Sequence, residues 1–81
     1  MPSSVVLINC EVGSEISVLD SVCALEETEK AYLVYGVYDV VAVLTTATMD
    51  GLEALLIKNV RSLPGIRSTL TLMISKDCTK K

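Results

Sequence analysis

The constraint that most limits the fold is a repetition: both halves of the sequence have one layout, meeting at Tyr35-Gly36-Val37-Tyr38-Asp39. Each half reads as an apolar run, a Ser or Thr cap, an amphipathic stretch and a second apolar run. Val5–Val12 predicts a strand with Val6, Ile8, Cys10 and Val12 on one continuous apolar face, broken by Gly13. Ser14 caps a helix from about Glu15 to Leu25, in which Ile16, Leu19, Val22 and Cys23 recur at helical spacing. The acidic connection Glu26-Glu27-Thr28-Glu29 reads as a solvated loop before a strand from about Lys30 to Tyr35.

After Gly36 a strand from about Asp39 to Thr46 carries Val40–Leu44 with no polar interruption. A strand apolar on both faces has to be covered on both. Thr48 caps the second helix, Asp50 lies in its first turn, and Leu52, Leu55, Leu56, Val60 and Leu63 form its buried stripe. Pro64-Gly65 stops it. The last strand, about Ile66 to Ser75, alternates Ile66, Leu70, Leu72 and Ile74 against Arg67, Thr69, Thr71 and Met73, and residues 76–81 form a polar tail.

Two β-α-β units joined by a hairpin, with right-handed crossovers, predict an α+β fold: the ferredoxin-like β-α-β-β-α-β arrangement. Its four-stranded antiparallel sheet carries both helices on one face, and residues 1–81 form a single domain with its core at about 4–75. The other face is then bare, although Val5, Leu7 and one side of the third strand, joined by Thr69, Thr71 and Met73, place apolar groups on it. Each such side chain left in water forgoes roughly 1.5–3 kcal/mol. A dimer packed sheet against sheet is therefore expected.

Composition removes most catalytic readings. There is no histidine, which takes away the commonest general base and most transition-metal ligand sets, and no carboxylates pair along the strands. Cys10, Cys23 and Cys78 lie in different segments, arguing against a disulfide framework or zinc site; Cys10 and Cys23 read as small core residues. A net charge of −3 without a basic face argues against direct nucleic-acid contact, and no apolar run is long enough for a membrane span. No signal peptide is indicated, so a soluble cytoplasmic protein that is not an enzyme and needs no cofactor or metal is expected.

The groups that could carry binding lie near mid-chain and in the last strand. Asp39 reads either as a turn carboxylate bonding nearby backbone amides or as an anionic anchor for a ligand's ammonium. Gly36 can take positive φ and let a ligand approach the backbone, or simply form the turn. Tyr32, Tyr35 and Tyr38 offer apolar walls with polar tips, though strand packing explains them equally. Ser68, Thr69 and Thr71 supply hydroxyls for a carboxylate, or are ordinary strand material.

The run Ala31-Tyr32-Leu33-Val34-Tyr35-Gly36-Val37-Tyr38-Asp39-Val40-Val41, with Leu63-Pro64-Gly65-Ile66 and Ser68-Thr69-Leu70-Thr71-Leu72, resembles the effector-binding domain of the leucine-responsive/asparagine regulator (Lrp/AsnC) family of transcription regulators. The resemblance covers about residues 4 to 75. It implies a domain that dimerises through its sheet and assembles further, often to an octamer of four dimers, with amino-acid effectors bound between dimers. The family's glycine-tyrosine-aspartate loop maps onto Gly36, Tyr38 and Asp39, and its last-strand hydroxyls onto Ser68, Thr69 and Thr71. Full-length members carry an N-terminal helix-turn-helix, whereas this sequence opens on the first strand and so resembles the stand-alone effector domains. The expectation is an amino-acid-binding regulatory module acting through assembly, with a ligand-free interaction module that joins full-length regulators as the alternative.

Overall fold

The structure, a computed structural model, describes residues 1–78. The expected polar tail runs beyond them, and its residues 79–81 lie outside the described residues. Strands β1 (Ser3–Cys10), β2 (Thr28–Leu33), β3 (Val40–Thr45) and β4 (Ile66–Met73) form one antiparallel sheet in the order β2-β3-β1-β4. Helix α1 (Glu15–Cys23) joins β1 to β2; helix α2 (Met49–Leu55), extended by a π turn over Leu56–Val60, joins β3 to β4. This is the ferredoxin-like β-α-β-β-α-β fold expected from the repetition.

β1 is an inner strand of the sheet and alternates strictly: Ser4, Val6, Ile8 and Cys10 are buried, while Ser3, Val5, Leu7 and Asn9 are half-buried. The buried set meets Val40, Ala42 and Leu44 of β3, Val18 and Val22 of α1, and Leu52, Leu55 and Val60 from the second helical segment in one cluster. Both helices therefore cover the same face. At about 1.5–3 kcal/mol per fully buried aliphatic side chain, this one layer is the dominant favourable term.

The helices depart from their expected stripes for geometric reasons. In α1 the buried pair is Val18 and Val22, while Ile16 and Cys23 are exposed. Those two are seven residues apart and share a direction, roughly 150° around the helix from Val18. Cys23, expected as a core residue, is thus corrected to a surface one. Ser14 holds the N-cap position without a side-chain cap bond. Thr48 does cap α2, its Oγ1 accepting from the Gly51 N–H at 3.0 Å.

The π turn rescues the second stripe. Continued as a regular α-helix, the segment would bring Asn59, four residues after Leu55, onto the core face. The Arg61 N–H instead donates to the Leu56 carbonyl, five residues back, at 3.1 Å. The wider turn buries Val60 beneath the sheet and leaves Asn59 exposed.

The strands also end differently. β1 stops at Cys10, because the Glu11 N–H donates to the Gly65 carbonyl at 2.7 Å and the chain turns through Gly13 at φ 86. Val12, expected on the apolar face, is consequently 98% exposed. β2 begins inside the acidic connection, where the Thr28 hydroxyl donates to the Val22 carbonyl and Glu29 accepts from the Thr45 hydroxyl at 3.0 Å. The β2–β3 connection spans residues 34–39 and is closed by the Val34 N–H donating to the Asp39 carbonyl at 2.9 Å.

The largest correction concerns β4. Its alternation, read straight through, put Thr69, Thr71 and Met73 on the bare face. In the structure Thr69 lies opposite Ile8, Thr71 opposite Val6 and Met73 opposite Ser4, all on the helix-covered side. Leu70 and Leu72 lie opposite Leu7 and Val5 on the open side. The cause is a β-bulge: Asn9 faces Ser68 while Cys10 faces Ile66, leaving Arg67 unpaired. One inserted residue flips the parity of everything beyond it, so Ile66 packs on the core while Leu70 and Leu72 face outward.

Gly65, at φ +89, packs against Ser14: an added Cβ would lie 2.7 Å from the Ser14 Cβ. Conversely the Ser4 hydroxyl is buried with no hydrogen-bond partner. Gly65→Ala is expected to destabilise by about 1–3 kcal/mol, whereas Ser4→Ala is expected to stabilise by about 1 kcal/mol. Thermal melts followed by circular dichroism check both signs, each kcal/mol moving Tm by roughly 4–8 °C in a domain of this size.

Candidate functional site

Asp39 is the last residue before β3, and three hydrogen bonds fix it. Its N–H donates to the Ile8 carbonyl at 2.9 Å, its carbonyl accepts from the Val34 N–H at 2.9 Å, and its Oδ2 accepts from the Cys10 N–H at 2.8 Å. The 34–39 loop is thereby tied to the end of β1. The turn-carboxylate role read from the sequence is present, although the amide it holds belongs to a strand distant in sequence.

The loop held this way presents its apolar groups to solvent. Tyr35 is 103% exposed and Val37 85% exposed, whereas Tyr38 and Asp39 are half-buried. Strand packing therefore does not account for Tyr35. Gly36 takes φ +147, and a Cβ built on it meets nothing within 4 Å. The backbone there is open to approach from outside.

A second carboxylate stands nearby. Burial first, then the charges of Asp39 and Glu15, push the Cys10 thiol above its ordinary value of 9.0. Glu15, read from the sequence only as a helix-dipole residue, keeps its Oε2 shielded from solvent without a hydrogen-bond partner. Asp39 and Glu15 thus make the end of β1 anionic, which favours an ammonium group over a carboxylate there. Only the tertiary fold could place Glu15 in this neighbourhood, since the residues between it and Asp39 form a helix and a strand.

The last-strand hydroxyls are divided. Ser68 lies on the open side and accepts from Asn9 Nδ2 at 3.3 Å. Thr69 and Thr71 are half-buried on the helix side, and Thr71 sits roughly 10 Å along the strand from Ser68. Ser68 and Thr69 join Arg61, Ile66 and Arg67 in lining a cleft of about 290 Å³. Asp39 and Ser68 both neighbour Asn9 but from opposite sides of β1, roughly 10 Å apart across two strand spacings.

No group of three or more acidic, cysteine or histidine residues able to hold a metal ion occurs among the described residues. Nor is any helix among them long and apolar enough to cross a membrane.

Residues 3–80 match the family model described as the Lrp/AsnC ligand binding domain. Among curated protein sequences none matches. Of solved structures, FFRP-DM1 is 29% identical with a TM-score of 0.90, over 93% of this chain and 100% of its own. AsnC of E. coli is 22% identical with a TM-score of 0.90, over 99% of this chain and 54% of its own. The transcriptional regulator NMB0573 of Neisseria meningitidis, solved as a complex with L-Met, is 11% identical with a TM-score of 0.85, over 98% of this chain and 53% of its own.

The raised Cys10 thiol has a pH consequence. Well below pH 9.0, its ordinary value, folded and unfolded chains both hold the proton and its contribution to stability is fully present. As pH rises beyond, the unfolded chain loses its proton first, and that contribution is lost as pH passes through the folded value. Urea midpoints measured across this alkaline range are expected to fall, and to fall less steeply in Cys10→Ala.

Proposed function

The chain belongs to the Lrp/AsnC ligand binding domain family, and on that premise we propose that it is a regulatory module that binds a small molecule, an amino acid, and responds through its state of assembly. The observation that supports this most is the loop 34–39. It carries exposed Tyr35 and Val37 around an open Gly36, and it is held rigid by Asp39. Side chains so placed have no packing role in their own chain, which suits them to contact a ligand or a second copy.

The ligand's ammonium pairs with Asp39, whose field is reinforced by Glu15. Its carboxylate is taken by backbone amides of the Gly36–Tyr38 turn and by Ser68, Thr69 or Thr71. On this reading the hydroxyls come from another protomer. That makes the ligand a bridge between chains, and its differential affinity for assembled and separate forms shifts the oligomer population. The regulator solved with L-Met makes an amino-acid effector the first class to try.

Assembly itself draws on the open sheet face. Val5, Leu7, Val41 and Val43 are half-buried there, and Leu70 and Leu72 are 46% and 49% exposed. A second copy packed against this face covers it, and further association of dimers, to an octamer, brings the 34–39 loops together. A different reading is favoured by one bond: the Asp39 Oδ2 is already occupied by the Cys10 N–H. On that reading the chain binds no effector and acts as an interaction module in mixed oligomers with full-length regulators.

Calorimetric titration with each of the twenty amino acids separates the readings. Binding by at least one, weakened tenfold or more in Asp39→Ala, is expected for sensing, since a charged hydrogen bond contributes about 1.5–3 kcal/mol; no heat from any of them overturns it. Sedimentation is expected to give a dimer or larger at micromolar concentration. Leu70→Lys, on the open face and harmless to the core, is expected to yield monomers.

A further inference from the structure

The chain has two arginines, Arg61 and Arg67, and both line the cleft at the start of β4. Acidic residues outnumber basic ones ten to seven in the sequence, yet among the described residues no carboxylate lines this cleft. Two like charges facing one space repel each other unless an anion lies between them.

Both arginines stand where the backbone departs from regular geometry. Arg67 is the extra residue of the β4 bulge, so neither face of the pleat dictates its direction. Arg61 closes the π turn, its N–H donating to the Leu56 carbonyl. A regular helix would place residue 61 roughly 100° further round the axis. Core packing accounts for Val60 and Ile66, which the two irregularities bury. It does not account for the two arginines, which are exposed and line one cleft.

The remaining polar groups of the cleft are suited to donate. Thr69, on the helix side with Ile66, supplies a hydroxyl, and Ile66 an apolar wall. A lining with two arginines and this hydroxyl matches a group that only accepts and carries about two negative charges.

We propose that this cleft is a binding site for a small dianionic oxyanion, the phosphate of a monoester or a dicarboxylate, held by Arg61 and Arg67 with Thr69 as a further donor. The site shares Thr69 with the amino-acid reading but uses neither Asp39 nor Glu15. It prefers an anion without an ammonium group.

The test is NMR titration of the whole chain with inorganic phosphate, succinate and glycine at matched ionic strength. Saturable shifts from phosphate or succinate, confined to the 66–69 amides and the arginine side chains, are expected, with none from glycine. Saturation by phosphate alone assigns a phosphate monoester; saturation by succinate alone assigns a dicarboxylate. Arg61→Gln and Arg67→Gln, both at exposed positions, are each expected to weaken binding about tenfold. Lys58→Gln, which removes one charge outside the cleft, leaves it unchanged. Absence of saturation with both dianions at millimolar concentration, or equal binding by the double arginine variant, overturns the proposal. Amino-acid heat without dianion shifts sinks only this site, and the reverse sinks only the amino-acid reading.

Discussion

Everything in this domain leans on the two-sided pairing of β1. It is bonded to β3 on one edge and to β4 on the other, and its strict alternation sets which residues of both neighbours face the helices. Because side chains alternate with period two, fixing β1 fixes the face of every partnered residue. The same strand ends at Cys10, where its backbone receives the Asp39 carboxylate and its next amide reaches Gly65. The loops carrying candidate binding groups are therefore anchored to the most constrained strand of the sheet.

Two single-residue insertions adapt the second half to that frame. The π turn at Leu56–Val60 exchanges Asn59 for Val60 in the core. The β4 bulge exchanges a straight alternation for one that buries Ile66 and exposes Leu70 and Leu72. Each sacrifices local regularity to keep an apolar side chain on the sheet's covered face, since leaving an aliphatic group in water costs about 1.5–3 kcal/mol. The same insertions set the directions of Arg61 and Arg67, so core packing and the charge of a surface cleft are coupled.

The open face and the 34–39 loop are surfaces of different kind. The first is a continuous apolar layer suited to a large, flat contact with a copy of itself. The second is a small projection with a carboxylate at its base, suited to local recognition. On the proposed function, their separation on the fold lets one carry association while the other biases it.

Much of this was legible in the sequence. The order of elements, the Thr48 cap, the burial of Leu52 and Leu55 and the buried face of β1 up to Cys10 follow from periodicity and cap chemistry, which are local properties. The hydrogen bonding of Asp39 was legible only in kind: a turn carboxylate was expected to bond nearby amides, and its partner is the Cys10 N–H of a strand distant in sequence. Illegible were the burial of Val18 rather than Ile16, the exposure of Cys23, the faces of Thr69, Thr71, Leu70 and Leu72, and the placing of Arg61 and Arg67 on one cleft. Each depends on a register or an inserted residue that no local pattern encodes, because its energy is gained only when a distant strand is already in place. The sequence by itself determined which elements form and in what order; the tertiary structure decided which faces they turn to one another, since parity along a strand is settled by its partner.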